Sequence, residues 1–194
     1  MVHLTKIYTK TGDEGLTSIG NNDRVAKISP LIEAIGSVDE ANCAIGMARS
    51  LNPLNSYMQA ILGQIQNDLF DMGADLSVPL PNEGLRIRED QITFLESVID
   101  KYNSELEPLD SFILPSGPNG ASLLHNARAI VRRAERDVWM VFVLYASEGE
   151  GKMMNNLVPK YLNRLSDLLF VLARYVSRGE EVLWVPGEIK EINP

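Results

Sequence analysis

Histidine and cysteine, the residues most often used for metal binding and nucleophilic catalysis, are nearly absent: two histidines and one cysteine among 194 residues. The lone Cys43 rules out an intramolecular disulfide and a clustered-thiolate metal centre, and its apolar neighbours place it in the expected core. Neither His3 nor His125 follows a glutamate by three positions, so the Glu-x-x-His pair of a di-iron helix bundle is missing. A histidine-based triad is short of the same material. The strings GxxxxGK[ST], GxSxG and GxGxxG do not occur, which removes the P-loop, the common hydrolase elbow and the dinucleotide fold. No apolar run reaches the roughly 18 residues of a membrane span. No apolar signal core or Arg/Ser-rich leader opens the chain, so cytoplasm is the expected location. Positive charge is also scarce: 18 Lys and Arg stand against 26 Asp and Glu, for a net −8. That balance argues against nucleic acid or an anionic membrane as partner, and leaves any anionic ligand to a local group of cations.

Such a group is present. Residues 122–145, SLLHNARAIVRRAERDVWMVFVLY, read as a long helix. Winding puts His125, Arg128, Arg132, Glu135 and Arg136 on one face, and Leu123, Ala127, Ile130, Val131, Ala134, Val138 and Val141 on the other. Guanidinium forks suit phosphate or carboxylate oxygens. Trp139 winds onto the arginine side, where a tryptophan is more usual in a site or interface than in bare solvent. Three readings of this face stay open: a phosphate site, a subunit interface, or a solvated side with intrahelical pairs such as Arg133–Asp137. His125 reads as a helix-face hydrogen-bonding residue rather than a general base.

The remainder predicts one domain over 1–194, with an N-terminal segment 1–27, a helical bundle 30–178 and a tail 179–194. Helices are expected from Pro30 to about Ser50, Asn55–Ala74, Glu89–Tyr102, through the arginine stretch, and Leu157–Arg178, each with an apolar seam. In the last, Leu162, Leu165, Leu169, Leu172 and Val176 repeat at bundle spacing, opposite Asn163, Asp167, Phe170 and Arg174. The fold class is therefore all-α, a five-helix antiparallel bundle with short extended segments at both ends. Thr5, Ile7, Tyr8 and Thr9 suit a short extended piece, and Trp184 is expected to pack on the bundle. The string TKTGDEGLTS, 9–18, is either an ordinary turn or a cradle of N–H groups for phosphate. The apolar FIL at 112–114 sits in a Pro- and Gly-rich connection and calls for a core, an interface or a ligand. The stretch 147–156, with Met153 and Met154, carries no motif.

Four strings read together carry a resemblance: YTKTGDEGLTS (8–18), SVDEANCAIG (37–46), FILPSGPNGASLLHNARAIVRRAERDVW (112–139) and YLNRLSDLLFVLAR (161–174). They resemble the ATP:cob(I)alamin adenosyltransferases of the trimeric propanediol-utilisation type, across nearly the whole chain. The resemblance implies a homotrimer with sites between subunits, in which Mg²⁺ accompanies ATP and no side chain binds a metal directly. It places Thr9, Lys10, Thr11, Gly12, Thr17, Ser18 and Lys27 of one chain, and Arg132, Arg133, Glu135, Arg136 and Asn163 of its neighbour, around ATP. Asp39 and Arg128 match an ion pair across the subunit boundary. Phe112 matches an aromatic that displaces the lower axial ligand of cobalamin, and with Arg132 is the residue expected to be catalytic. The implied reaction is attack of cob(I)alamin cobalt on C5′ of ATP, giving adenosylcobalamin and triphosphate. A cob(II)alamin reductase and a cobalamin-dependent enzyme are the implied macromolecular partners. The alternatives are a non-catalytic carrier delivering adenosylcobalamin to a partner enzyme, and a scaffold whose arginines only join subunits. One departure stands out: this chain has Ser116-Gly117-Pro118 where the family usually carries two glycines.

Overall fold

In the computed structural model, residues 7–50, 54–118, 120–148 and 154–187 are described. A hairpin of β1 (Leu16–Ser18) and β2 (Arg24–Ala26) precedes five helices: α1 (Pro30–Ser50), α2 (Ser56–Ser77), α3 (Glu89–Asn103), α4 (Ala121–Glu148) and α5 (Leu157–Val176). Pro30 opens α1, where its missing N–H costs nothing. Asn55 caps α2, its Oδ1 accepting from Met58 N at 2.9 Å. At the start of α3, Arg88 N donates to Gln91 Oε1 at 2.9 Å.

The helices are held by one core. α1 packs on α2 and α4, α4 on α5, and α5 on α3. Ala34, Ala41 and Ala48 of α1 and Ala127 and Ala134 of α4 are fully buried, and such small side chains permit close approach of packed helices. The larger volume comes from Ile61, Leu62, Ile65, Leu69 and Met72 of α2 and Leu162, Leu165, Leu169 and Leu172 of α5, all buried. Two buried carboxylates tie the bundle together. Asp68 accepts from Tyr161 Oη at 2.8 Å, Gln91 Nε2 at 2.9 Å and Gln64 Nε2 at 2.9 Å. Asp75 accepts from Ile87 N at 2.8 Å and Asn155 Nδ2 at 2.7 Å, and pairs with Arg86 at 3.1 Å. Each carboxylate is satisfied by donors from separate segments, which makes its burial tolerable.

Several expectations are corrected. Cys43 is exposed, because the buried stripe of α1 runs through Ala41, Asn42, Ala44 and Ile45 and leaves position 43 facing out. In α4 Leu124 joins Ala127, Val131, Ala134, Val138 and Val141 in the core, while Leu123 and Ile130 are half-buried against it. His125 is buried rather than on an open face, with its ring 6.1 Å from that of Phe170 on α5. Arg174, opposite the leucine seam of α5, is likewise buried, at 6% exposure. Residues 7–9 form no strand; the strand pair lies later, with Leu16, Thr17 and Ser18 opposite Ala26, Val25 and Arg24. Trp184 meets Phe112, ring centroids 6.0 Å apart, and shares a cavity with His125, Arg128 and Phe170 of the bundle. α2 and α4 run past their expected ends to Ser77 and Glu148, and α5 stops at Val176. Met154 is buried; Met153, Thr5 and His3 lie outside the described residues.

Candidate functional site

The N-terminal loop is closed by its own polar groups. Arg24 Nη2 donates to Thr11 O at 2.7 Å, Thr9 and Thr11 hydroxyls are 2.9 Å apart, and Lys27 N donates to Gly15 O at 2.8 Å. Gly20 N donates to Ser77 O at 3.0 Å, anchoring the hairpin on the end of α2. None of these bonds reaches α4. A Cβ at Gly12 would stand 3.0 Å from Lys27 Nζ and 3.3 Å from Leu16 O, so glycine lets the Lys27 ammonium lie on the loop backbone. Lys10 adopts φ 62°, the left-handed region, which costs a non-glycine residue roughly 1–3 kcal/mol and tends to persist where the side chain is used. Thr17 and Ser18 lie on β1, Ser18 paired with Arg24, and Arg24 Nη1 is 3.5 Å from Ser18 Oγ. Arg24 escaped the sequence reading. Its signal was the turn GNND between LTS and RVA, which puts the guanidinium across from Ser18.

On α4 the cations divide by partner. Arg133 pairs with Glu40 of α1, and not with Asp137, which accepts from Ser37 Oγ at 2.5 Å. Arg136 Nη1 donates to Arg132 O at 3.0 Å. Glu135 accepts from Asn163 Nδ2 at 3.4 Å, and Arg164 donates to Asn163 Oδ1 at 2.7 Å and Glu96 Oε1 at 2.8 Å. This chain of bonds fixes the Asn163 amide beside Glu135 of α4. The guanidinium of Arg132 is exposed and has no protein partner among the described residues. Arg128, half-buried, has no partner for Nε and lies 5.9 Å from the centre of the Phe170 ring. Burial, and then the neighbouring Arg132 charge, lower its pKa from the usual arginine value. A half-buried cation without a carboxylate demands an anion from elsewhere. Asp39, exposed on α1, lines a groove of about 430 Å³ beside Phe70 and Gly73 of α2, apart from Arg128.

One turn before Arg132 the same helix walls a cavity of about 630 Å³, lined by Phe112, His125, Arg128, Phe170 and Trp184 among others. Phe112 is 77% exposed, a large apolar side chain held toward solvent at the rim. Burial, and then Arg128, lower the pKa of His125, so its imidazole is neutral near pH 7. The local loop geometry depends on Gly117: φ is +129°, and a Cβ there would meet Ser177 Oγ at 2.6 Å. The Ser116-Gly117-Pro118 string therefore keeps a glycine where this backbone requires one.

The bundle thus presents, on one helix, guanidinium groups without an ion-pair partner among the described residues and, a turn away, one wall of an aromatic-lined cavity. The cobalamin adenosyltransferase family matches residues 7–176, and the chain belongs to that family. It is 46% identical over 193 residues to the corrinoid adenosyltransferase of Mycobacterium leprae (strain TN), covering 96% of this chain and 98% of the relative. The Homo sapiens corrinoid adenosyltransferase is 41% identical, over 91% of this chain and 71% of that one. Among solved structures, a variant PduO-type ATP:corrinoid adenosyltransferase from Lactobacillus reuteri complexed with cobalamin and ATP superposes with a TM-score of 0.82 at 36% identity, covering 92% of this chain and 99% of that chain. A second variant of it, complexed with ATP, gives 0.81 at 36% identity, over 92% and 100%.

Proposed function

We propose that this chain transfers the 5′-deoxyadenosyl group of ATP to the cobalt of cob(I)alamin. The observation that carries the reading is the pairing on α4 of free Arg132 and Arg128 with the cavity at whose rim Phe112 stands. In this reaction the substrate cobalt is the nucleophile. Its electron pair forms the Co–C5′ bond, the C5′–O bond breaks, and the triphosphate leaves with the released pair. The protein then needs neither a nucleophile nor a base, which suits a chain with two histidines and one cysteine. Its task is to hold ATP and meet the growing charge on the leaving group. Arg132, Arg136, Lys10 and Lys27 are the cations for that task, and removing one donor from such a site costs about 3–4 kcal/mol. Asn163, fixed by Arg164, and Glu135 orient the nucleoside end, with the loop groups Thr9, Thr11, Gly12, Thr17 and Ser18 closing over the phosphates. Arg133, already engaged by Glu40, contributes mainly its field.

Among the described residues no three His, Cys, Asp or Glu side chains converge on a metal position. A Mg²⁺ ion would enter on the triphosphate, with phosphate oxygens and water as ligands, as this ion usually binds nucleotides. It would supply charge neutralisation, and the arginines supply the rest. Because the loop's bonds run to itself and to α2, we assign the complete site to two chains of a homotrimer, with Asp39 of one pairing Arg128 of the next. The segment 1–27, the bundle 30–178 and the tail 179–194 act as one domain in each. A reductase that yields cob(I)alamin and an enzyme that uses the product complete the set of partners.

The test is spectral conversion of cob(I)alamin with ATP present and absent, with analysis of the phosphate product. Adenosylcobalamin and triphosphate are expected. ADP or AMP as product, or no dependence on reduced corrin, would overturn the reading. Tight binding of adenosylcobalamin without turnover would mark a carrier instead.

A further inference from the structure

Arg174 is the buried charge of α5 that neither the core nor the nucleotide site explains. Burying a guanidinium is costly unless its donors are met. They are met here by two segments that belong to no helix. Nε donates to Glu181 Oε1 at 2.8 Å, and Nη2 donates to Glu107 O at 2.8 Å. Glu107 begins the connection that carries Phe112, and Glu181 begins a strap that runs back along it. The two pair as an antiparallel bridge at Ile113 and Leu183. Leu114 N donates to Val182 O at 2.8 Å, Trp184 N to Phe112 O at 2.7 Å, and Ser111 Oγ to Trp184 O at 2.9 Å.

The bridge places the Phe112 and Trp184 rings edge to face at 63° on the cavity rim. Little apolar burial holds it there: Phe112 is 77% exposed, and Leu183 and Trp184 are each 47% exposed. With so small a buried area, the position of the loop and strap is set by their polar anchors. Arg174 is the anchor that engages both segments at once and joins them to the bundle. We infer that Arg174 is a positioning residue, which through Glu181 and Glu107 O holds the Phe112 loop and the Trp184 strap in place over the corrinoid cavity. This rests on the corrinoid reading above. Arg174 has no role in ATP binding, so its loss falls on the corrin side alone.

The experiment compares wild type, Glu181→Ala, Arg174→Lys, Phe112→Ala and Glu181→Ala/Phe112→Ala in the full chain. Adenosylation is followed from cob(II)alamin plus a chemical reductant, and separately from cob(I)alamin reduced beforehand, with KM for ATP in each. Glu181→Ala and Arg174→Lys should lower the cob(II)alamin rate about tenfold, the equivalent of about 1.4 kcal/mol, with a smaller loss from cob(I)alamin and KM for ATP unchanged. The double variant should be no slower than Phe112→Ala alone, since coupled residues are non-additive. Glu181→Gln, which keeps an acceptor, should recover part of the rate. A merely structural role would instead lower the melting temperature and depress both assays equally. An active wild type with unaffected Glu181→Ala and Arg174→Lys, or with losses that add to that of Phe112→Ala, overturns this inference alone. A wild type that forms no adenosylcobalamin overturns the functional reading with it.

Discussion

Lys10 shows how backbone and side chain can pull apart at one position. At φ 62° glycine is the residue without a steric penalty. Lys10→Gly should leave the melting temperature unchanged or higher while raising KM for ATP. A drop in melting temperature without a KM change would mean that the lysine serves the fold. Arg132→Ala should lower kcat by about 10²–10³ with the helical circular dichroism intact, because its side chain has no partner to lose; an unchanged rate would remove it from the site. His125 carries a pH consequence. Its folded pKa is lowered from 6.5 by burial and Arg128, so protons bind the unfolded chain more readily. The stabilising contribution is present above the unfolded value and is lost as pH falls through it toward the folded value. Melting temperature measured between about pH 7 and 5 should fall less steeply in His125→Gln than in wild type; parallel curves would show that other groups dominate. Arg132, Asn163 and Phe112 were legible as motif residues, since each sits inside a distinctive string. Arg24 and Trp184 were not, because their relevance arises from hairpin register and from a bridge to a remote segment.

At the scale of elements, the helices were readable because each repeats an apolar seam over several turns, as Met58, Ile61, Leu62, Ile65, Leu69 and Met72 do in α2. The strands at 16–18 and 24–26 were too short for a period of two to show, and hydrogen bonds of Arg24 and Lys27 hold their loop. The two carboxylates under the seams were silent in the sequence as well. Asp68 and Asp75 look like surface acids until α2 is docked against α3 and α5. Their removal or stranding should be felt throughout the bundle. Tyr161 is fully buried and its pKa is raised well above 10.0 by burial, then by Asp68, so it stays a donor. Tyr161→Phe strips one donor from a buried carboxylate and should cost about 1–3 kcal/mol in urea unfolding, with adenosylation kinetics intact below the transition. A smaller cost would mean that Gln64 and Gln91 already satisfy Asp68.

For the whole molecule, the lack of an ion-pair partner for Arg128 and for Asp39 among the described residues makes a specific claim about assembly. If one subunit's loop serves the next subunit's arginines, a Lys10→Ala/Lys27→Ala chain and an Arg132→Ala chain should each be nearly inactive alone. Mixed after partial dissociation, they should regain activity, because some interfaces then join an intact loop to an intact helix. Two inactive variants that stay inactive in verified hetero-oligomers would place the site within one chain. Overall architecture was within reach of the sequence because bundle seams are local, whereas the strap depends on a pairing between segments remote in sequence. That strap has a further consequence, in cooperativity. The bridge between residues 112–114 and 182–184 joins segments remote in sequence, so its closure entropy is met only after the helices have packed. Its two backbone hydrogen bonds lie on exposed segments, which open locally at less cost than the helices. In hydrogen exchange the amides of Leu114 and Trp184 should therefore exchange sooner than those of Leu165 or Ile65. Exchange at those two amides as slow as in the helices would show that the cavity's rim opens only together with the bundle.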